Sequence, residues 1–307
     1  MKIRLLAGKE LTMSNNLVGD VSGELLDTWA DILVKMRAGR ITLDHLKKFG
    51  QMDPTPFAVT AKSAKREIER FAAKTARRLS GVFKKRILVD PVPLEFTDEN
   101  LAHWATFNMR PVFLPGEEIG KDRPLKGWVK KPRDWFYDNV ANGDIKPIHD
   151  LKPTQLRRGW YLADFTVGAD YTNGNQVFVD DPLAKIITDL REKKVVGKHE
   201  NTSMGSRFSI TWDEWQDVVL AHIASKLNVT RAQTRLERAI EFNAIGNLYD
   251  ANLGKFNSYE WFQDHFEDSY RLCGGFRVYG GLADIYYDWP DGRGYSVAGR
   301  PLVSFVQ

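Results

Sequence analysis

Apolar residues recur at helical spacing along residues 24–38, "ELLDTWADILVKMRA", where Leu25, Trp29, Ile32, Leu33 and Met36 share one face. Gly39 ends this predicted helix, and Thr42 is placed to cap a short second one through Lys48. "FGQMDPTPF", with Pro54 and Pro56, breaks the pattern and reads as a linker. Residues 58–79 give the clearest helical stripe, built from Ile68, Phe71, Ala72 and Leu79. Beyond residue 87 the texture changes. "ILVDPVPLEF" and "RPVFLP" read as short strands broken by proline. "GWYLADFTVGADY", residues 159–171, reads as a strand with alternating burial, and "NGNQVFVDD" as a turn and another strand.

Three further helices follow. "DPLAKIITDLREKKVV" starts at Asp181 as cap with Pro182 at its first position. Residues 211–227 carry a capping box of Thr211 and Glu214. Residues 230–249 supply the third, and from Gly254 onward the chain is short strands and turns. The pattern predicts an α+β fold with helices grouped before an irregular β-rich tail. No solenoid repeat is visible.

Composition narrows the class. The chain has 307 residues, 43% hydrophobic and 27% charged, as in a globular protein with one large domain or a domain and an appendage. No apolar run approaches the roughly 18 residues of a membrane helix. "MKIRLLAGKELTM" lacks the apolar core and cleavage site of a signal peptide. The expectation is a non-secreted protein, cytoplasmic or assembled into a virus-like or surface particle. The single cysteine, Cys273, excludes an internal disulfide and any multi-cysteine metal site.

The net charge of +4 is unevenly spread. Residues 1–86 hold 18 Lys and Arg against 9 Asp and Glu, while the remainder holds 26 against 31. This divides the chain into a basic helical region, 1–86, and a second domain, 87–307. Lys62, Lys65, Arg66, Arg70, Lys74, Arg77 and Arg78 surround the stripe of the 58–79 helix, and "KKR" at 84–86 extends the run. A solvated helix face, an anionic contact such as nucleic acid, and docking on an acidic partner all stay open.

Candidate chemistry is sparse. His45, His103, His149, His199, His222 and His265 form no metal-ligand pair, and there is no nucleophile elbow, phosphate loop or dinucleotide fingerprint. "VDDP" at 179–182 has cation-binding residue types, but a helix cap explains it more cheaply. Glu117 and Glu118 are adjacent and point apart. These observations argue against an enzyme and imply no cofactor.

The tail holds the most unusual stretch, "GGFRVYGG", with Gly274, Gly275, Gly280 and Gly281 bracketing Phe276, Arg277, Val278 and Tyr279. Upstream, "TRLERAIEFNAIGN" at 234–247 is similar to the RLPTExEWE-type helix of the formylglycine-generating-enzyme branch of the C-type lectin fold. Arg235, Leu236, Ala239 and Glu241 match, and Glu237 and Arg238 replace its Pro and Thr. "SYEWFQD", with Glu260 and Trp261, looks like that branch's WEW element. "RLCGG", Trp289 and "GRPLV" look like its closing segment, with Ala298-Gly299-Arg300 where GFR is usual. The resemblance covers about residues 230–307. The branch's copper-assisted oxidation uses paired cysteines, which this chain lacks.

The same scaffold serves the variable proteins of diversity-generating retroelements, in which adenine-directed mutagenesis rewrites a C-terminal ligand-binding segment. Rewritten Asn codons cannot become Trp codons, so Trp289 breaks the rule and would be a fixed residue, nor can they become Lys, Glu, Gln or Met codons. None of the last four occurs from Asp268 to Val306, where the chain's composition leads one to expect roughly six. A β-rich, turn-rich tail also disfavours Lys and Glu. The resemblance implies a variable segment at about 268–300 that binds a protein or cell-surface ligand. Its contact residues would be Phe276, Arg277, Val278, Tyr279, Asp284, Tyr286, Tyr287, Asp288, Asp291, Gly292, Gly294, Tyr295 and Ser296. Gly274, Gly275, Gly280, Gly281, Trp289 and Arg300 would be fixed scaffold, with Trp289 a core anchor. Phe276, Arg277, Tyr279 and Tyr287 are expected to expose their side chains together. An enzyme on the same fold, or a nucleic-acid-associated protein acting through 58–86, are the alternatives.

Overall fold

Two small sheets partition the apolar residues into two cores. The structure, a computed structural model, describes Thr42 and residues 61–148, 150–171 and 176–306, with side chains from Glu67. The helices expected before residue 49, the linker after them, His45, His149 and the Asn-Gly turn at 173–174 lie outside the described residues. So do the side chains of Lys62, Lys65 and Arg66.

The first sheet joins β1 (Met109–Leu114), β2 (Gly159–Asp164), β8 (Pro301–Ser304) and β3 (Thr234–Leu236), in that order and antiparallel throughout. The second runs β6 (Ile285–Asp288), β5 (Tyr270–Gly274), β4 (Tyr259–Phe266), β7 (Val297–Gly299), with β4 and β7 parallel. The fold is thus α+β, but the strands are not a tail after the helices: β8 inserts between β2 and β3.

Both faces of the first sheet are covered. Trp160, Leu162, Phe113 and Val303 enter one core, while Tyr161, Ala163, Val112 and Leu302 enter the other. All six residues of β2 are therefore buried, where the sequence reading expects alternation. Strands covered on two sides need apolar residues at every position rather than every second one.

The helices supply those covers. α1 (Ala61–Phe83) buries Leu79, Val82 and Phe83 and packs Ile68, Phe71 and Ala72 on the first core. The compact unit spans Ala61–Gln307, so α1 belongs to it and a boundary at residue 86 falls inside. α2 (Asp98–Ala105) and α3 (Asp134–Asn142) are short helices that the apolar pattern does not single out. Thr97 caps α2 by accepting from the Asn100 amide. The stretch 87–96 forms no strand; it is an irregular segment whose Phe96 packs on Trp104, Trp160 and Phe305 at ring distances of 5.6, 5.8 and 5.0 Å. Residues 176–179 likewise stay out of any sheet.

α4 (Ala184–Glu192) follows Asp181, whose carboxylate accepts from the Leu183 amide at 2.9 Å. α5 (Trp212–Glu214) and α6 (Leu220–Lys226) are joined by a π-helical stretch, Trp215–Val219. The capping box of Thr211 and Glu214 is present. The helix expected over 230–249 is shorter: Arg231–Gln233 is a 3-10 turn, 234–236 is β3, and α7 covers Ala239–Leu248. Pairing of Thr234–Leu236 with β8 overrides the helical tendency of the local sequence. All ten residues of α7 are buried.

Trp215 opens the π stretch, and its indole lies so close over Gly299 that any Cβ there would overlap it. Glycine at this position is a packing requirement. Gly299→Ala is expected to lower stability by about 1–3 kcal/mol through overpacking, measured by urea unfolding. Pairing it with Trp215→Leu should recover part of the loss relative to the sum of the two single changes.

Candidate functional site

Two buried Arg–carboxylate systems hold the region around the C-terminal segment. Arg207 binds Asp181 bidentately, Nε to Oδ2 at 2.8 Å and Nη2 to Oδ1 at 2.7 Å, and its Nη1 reaches Asp164. Arg300 binds Glu260 bidentately at 2.8 and 3.0 Å and lies 3.7 Å from Asp164. Phe178 packs against both guanidinium groups, at 4.8 and 5.2 Å. Three carboxylates thus share two guanidinium groups, all buried. Burial pushes the Asp164 carboxyl up, but Arg207 and Arg300 outweigh it and hold it below the usual range.

Glu237 sits beside this cluster, buried, with neither carboxylate oxygen hydrogen-bonded among the described residues. Burial, and then the Glu260 charge, push its carboxyl well up. The cluster already carries excess negative charge, so the neutral acid is the form that fits there.

The second system orders α7. Arg235 binds Glu241 at 2.6 and 2.7 Å, and Glu241 also accepts the Arg238 amide at 2.9 Å. The Asp264 carboxylate accepts the Ala239 amide at 2.6 Å. Two carboxylates therefore meet the positive end of α7. Arg235 with Glu241 and Arg300 with Glu260 thus form two bidentate pairs, Arg235 half-buried and the other three buried.

The loop 275–284 rests on this base and is closed by its own backbone. Gly275 N–H donates to the Asp284 carbonyl at 3.0 Å, Gly281 N–H to Phe276 at 3.0 Å and Arg277 N–H to Phe256 at 2.9 Å. Gly275, Gly280 and Gly281 have φ of +98, +134 and +61°. At Gly281 a Cβ would also overlap the Gly254 carbonyl, so only glycine fits. Asn243 of α7 donates to the Leu282 carbonyl at 2.6 Å and accepts from the Trp128 indole at 2.9 Å. Asn247 accepts the Val129 and Lys130 amides at 2.6 and 3.2 Å. Both asparagines lie on α7, where the apolar pattern alone hides their role.

What this closure leaves outside is short. Val278 is 70% and Tyr279 61% exposed, and Arg277 is exposed, with its nearest carboxylate, Asp170, at 3.8 Å. Phe276 is half-buried against Tyr259 and Tyr279, ring distances 4.8 and 5.2 Å. Tyr287 is not part of this group. In β6 it pairs with Leu272 and packs on Phe266 and Tyr270 at 4.4 and 5.0 Å. Tyr259 and Phe266 are the two ends of β4, so the expected joint exposure divides into two clusters.

Two further expectations are corrected. Asp284, expected on the contact face, is 1% exposed. Its carboxylate accepts the Phe276 amide at 3.2 Å and lies 3.4 Å from Arg133, which makes it a tie closing the loop. Trp289, expected in the core, is 52% exposed and leans on Tyr270 at 4.3 Å. It follows the last residue of β6, where the turn closed by the Gly292 amide on its carbonyl carries the chain away from the sheet.

Tyr286 and Asp291 are exposed, while Asp288, Gly292, Gly294 and Ser296 are half-buried. Tyr295 is exposed and stacks on His199 at 3.6 Å. Arg293, which the sequence reading does not single out, binds Glu214 at 2.7 Å through both guanidinium nitrogens. On α1, Arg70, Lys74 and Arg77 are exposed.

His103 and His222 contact the backbone carbonyls of Lys226 and Val218 at 2.8 and 2.9 Å. Among the described residues, no group of three His, Cys, Asp or Glu side chains is placed to hold a metal ion. Asp181 is committed to Arg207. Cys273 is buried, and burial pushes its thiol well above the ordinary value, which keeps it protonated and unreactive. Among the described residues, no helix is long and apolar enough to cross a membrane. No protein family, curated protein or solved structure matches the chain.

Two predictions follow from the buried charges. Arg300→Leu leaves Glu260 and Asp164 short of a counter-charge and should cost about 3–5 kcal/mol, read from chemical unfolding. Glu237 acts in the opposite sense. A carboxyl kept protonated by the fold makes the native state bind more protons than the unfolded chain above about pH 4.3, so stability falls as pH rises from there. Glu237→Gln should match wild-type stability near pH 4 and exceed it as pH rises from there, compared by urea midpoints across a pH series.

Proposed function

We propose that this protein is a ligand-binding protein with a C-type-lectin-like fold, and that its segment at about 268–300 is a replaceable recognition surface of the retroelement-diversified kind. Recognition is non-covalent, on a rigid scaffold that does not depend on the contact side chains. The observation that carries this reading is the 275–284 loop. Its closure uses backbone amides, glycines and the buried Asp284, while the side chains of Arg277 and Val278 project outward and Tyr279 lies over Phe276 and Tyr259. A surface whose conformation does not depend on its exposed side chains is what a diversified site requires.

The residue types fit as well. Tyr279, Tyr286 and Tyr295 offer large contact area with few rotors, and serine and glycine adapt around them. The two bidentate pairs, Arg235 with Glu241 and Arg300 with Glu260, give the motif residues of the resemblance a common structural duty. Gly299, which replaces the usual Phe, lies under the Trp215 indole, so an aromatic ring from elsewhere in the chain occupies that space. The buried single thiol is consistent with binding rather than paired-cysteine oxidation.

The decisive experiment is sequencing of the neighbouring DNA. A reverse transcriptase gene and a near-copy of the 268–300 coding segment, differing at adenines, are expected; their absence sinks the diversification reading. Independently, replacing Arg277, Val278 and Tyr279 together by serine should change stability by less than about 1 kcal/mol. Gly281→Val should unfold the domain, as monitored by circular dichroism. Equal sensitivity at both places would reduce the loop to an ordinary structural tail.

A further inference from the structure

Beside the loop lies a cleft of about 510 Å³ between the end of α7, the turn at 250–255 and the segment 277–282. Arg78, Lys130, Lys255 and Arg277 line it, against one acid, Asp250. That acid is buried, its carboxylate accepts the Asn252 amide at 2.9 Å, and burial pushes its pKa up. Among the described residues, Arg277 lies 3.8 Å from the Asp170 carboxylate, while the other three lining cations have no carboxylate partner. Arg78 donates to the carbonyls of Leu248 and Asn247, and Lys130 donates to the Gly280 carbonyl at 3.0 Å. Carbonyl oxygens orient a cation without cancelling its charge. Lys255 is exposed, and its ammonium has no hydrogen-bond or ion-pair partner among the described residues. Leu248, Leu253 and Leu282 form apolar wall between the charges.

We propose that this cleft binds a phosphate monoester carried on an apolar or ring-bearing body. The volume lies within the range of small-molecule sites, with apolar walls and a few convergent polar groups. Three cations without carboxylate partners among the described residues exceed the single charge of a carboxylate ligand. A phosphate monoester brings about −1.5 to −2 charges and three acceptor oxygens at pH 7. Lysine ammonium groups and arginine forks are the usual partners of such a group. The site shares Arg277 with the 276–279 surface but rests on Arg78, Lys130 and Lys255 and does not require that surface to be diversified, so the two readings stand or fall separately.

The test is a titration of the full chain, followed by amide NMR at low salt, with phenyl phosphate, inorganic phosphate and phenol up to about 10 mM. Phenyl phosphate should give saturable shifts at the amides of Gly254, Lys255, Gly280 and Gly281, with inorganic phosphate binding roughly tenfold more weakly for want of the apolar wall. Lys255→Glu should weaken phenyl phosphate at least about tenfold, and Lys255→Arg should hold it within about threefold. Raising the salt should weaken binding without any substitution. No saturable shift at these four amides would overturn the proposal. So would unchanged affinity in Lys255→Glu, indifference to salt, inorganic phosphate binding as tightly as phenyl phosphate, or phenol binding as tightly as its phosphate ester.

Discussion

The pairing of Arg300 with Glu260 and Asp164 is the contact on which the C-terminal half depends. Arg300 stands between β7 and β8, Glu260 on β4 and Asp164 at the end of β2, so one guanidinium ties the two sheets. Its Nη1 also donates to the carbonyls of Asp164 and Thr166 at 3.0 and 2.7 Å. Arg207 extends the tie to the loop before α4 through Asp181. Such a buried cluster is weak evidence for net stability, because each charge has lost its water. What it specifies is relative placement: only one arrangement of the sheets satisfies both bidentate forks.

That placement is what frees the 275–284 loop. Because α7 is anchored at its start by Arg235, Glu241 and Asp264, its asparagines present fixed hydrogen-bonding groups to the Trp128 indole and to the 129–130 and 282 backbones. Arg133 adds a second clamp, with its amide on the Ala283 carbonyl at 3.0 Å and its guanidinium near Asp284. Rigidity therefore reaches the surface from below. The basic cleft shares the same walls, since Gly280, Gly281 and Leu282 belong to both.

Much of this is readable from residues that act locally. The apolar stripe of α1 and the Thr211–Glu214 capping box depend on neighbours in sequence, and the structure keeps them. Features set by distant partners are not readable in that way. β3 lies in a stretch with helical tendency because β8, far along the chain, needs an edge. β2 is buried on both faces because helices from both sides cover it, and no period within six residues announces that. Asp284 and Trp289 exchange their expected places for one reason. Burial near a turn depends on whether a second layer stands opposite: Arg133 stands against Asp284, while Trp289 leans on Tyr270 and stays half open to solvent. Arg207 and Asn243 carry no local signature at all.

The position of β8 has a consequence for biosynthesis. This strand, Pro301–Ser304, fills the gap between β2 and β3 and comes after the whole 268–300 segment. Until it emerges, β2 and β3 present unpaired edges and Arg300 has not met its carboxylates. Closure of the first sheet is a late event with long sequence separation, which slows folding and leaves edges exposed meanwhile. A chain interrupted by a stop codon or a shifted frame within 268–300 never acquires the strand. Errors in the surface segment that destroy the reading frame therefore also destroy the fold, while those that merely exchange one exposed side chain pass through. The fold thus depends on the chain being read through to β8.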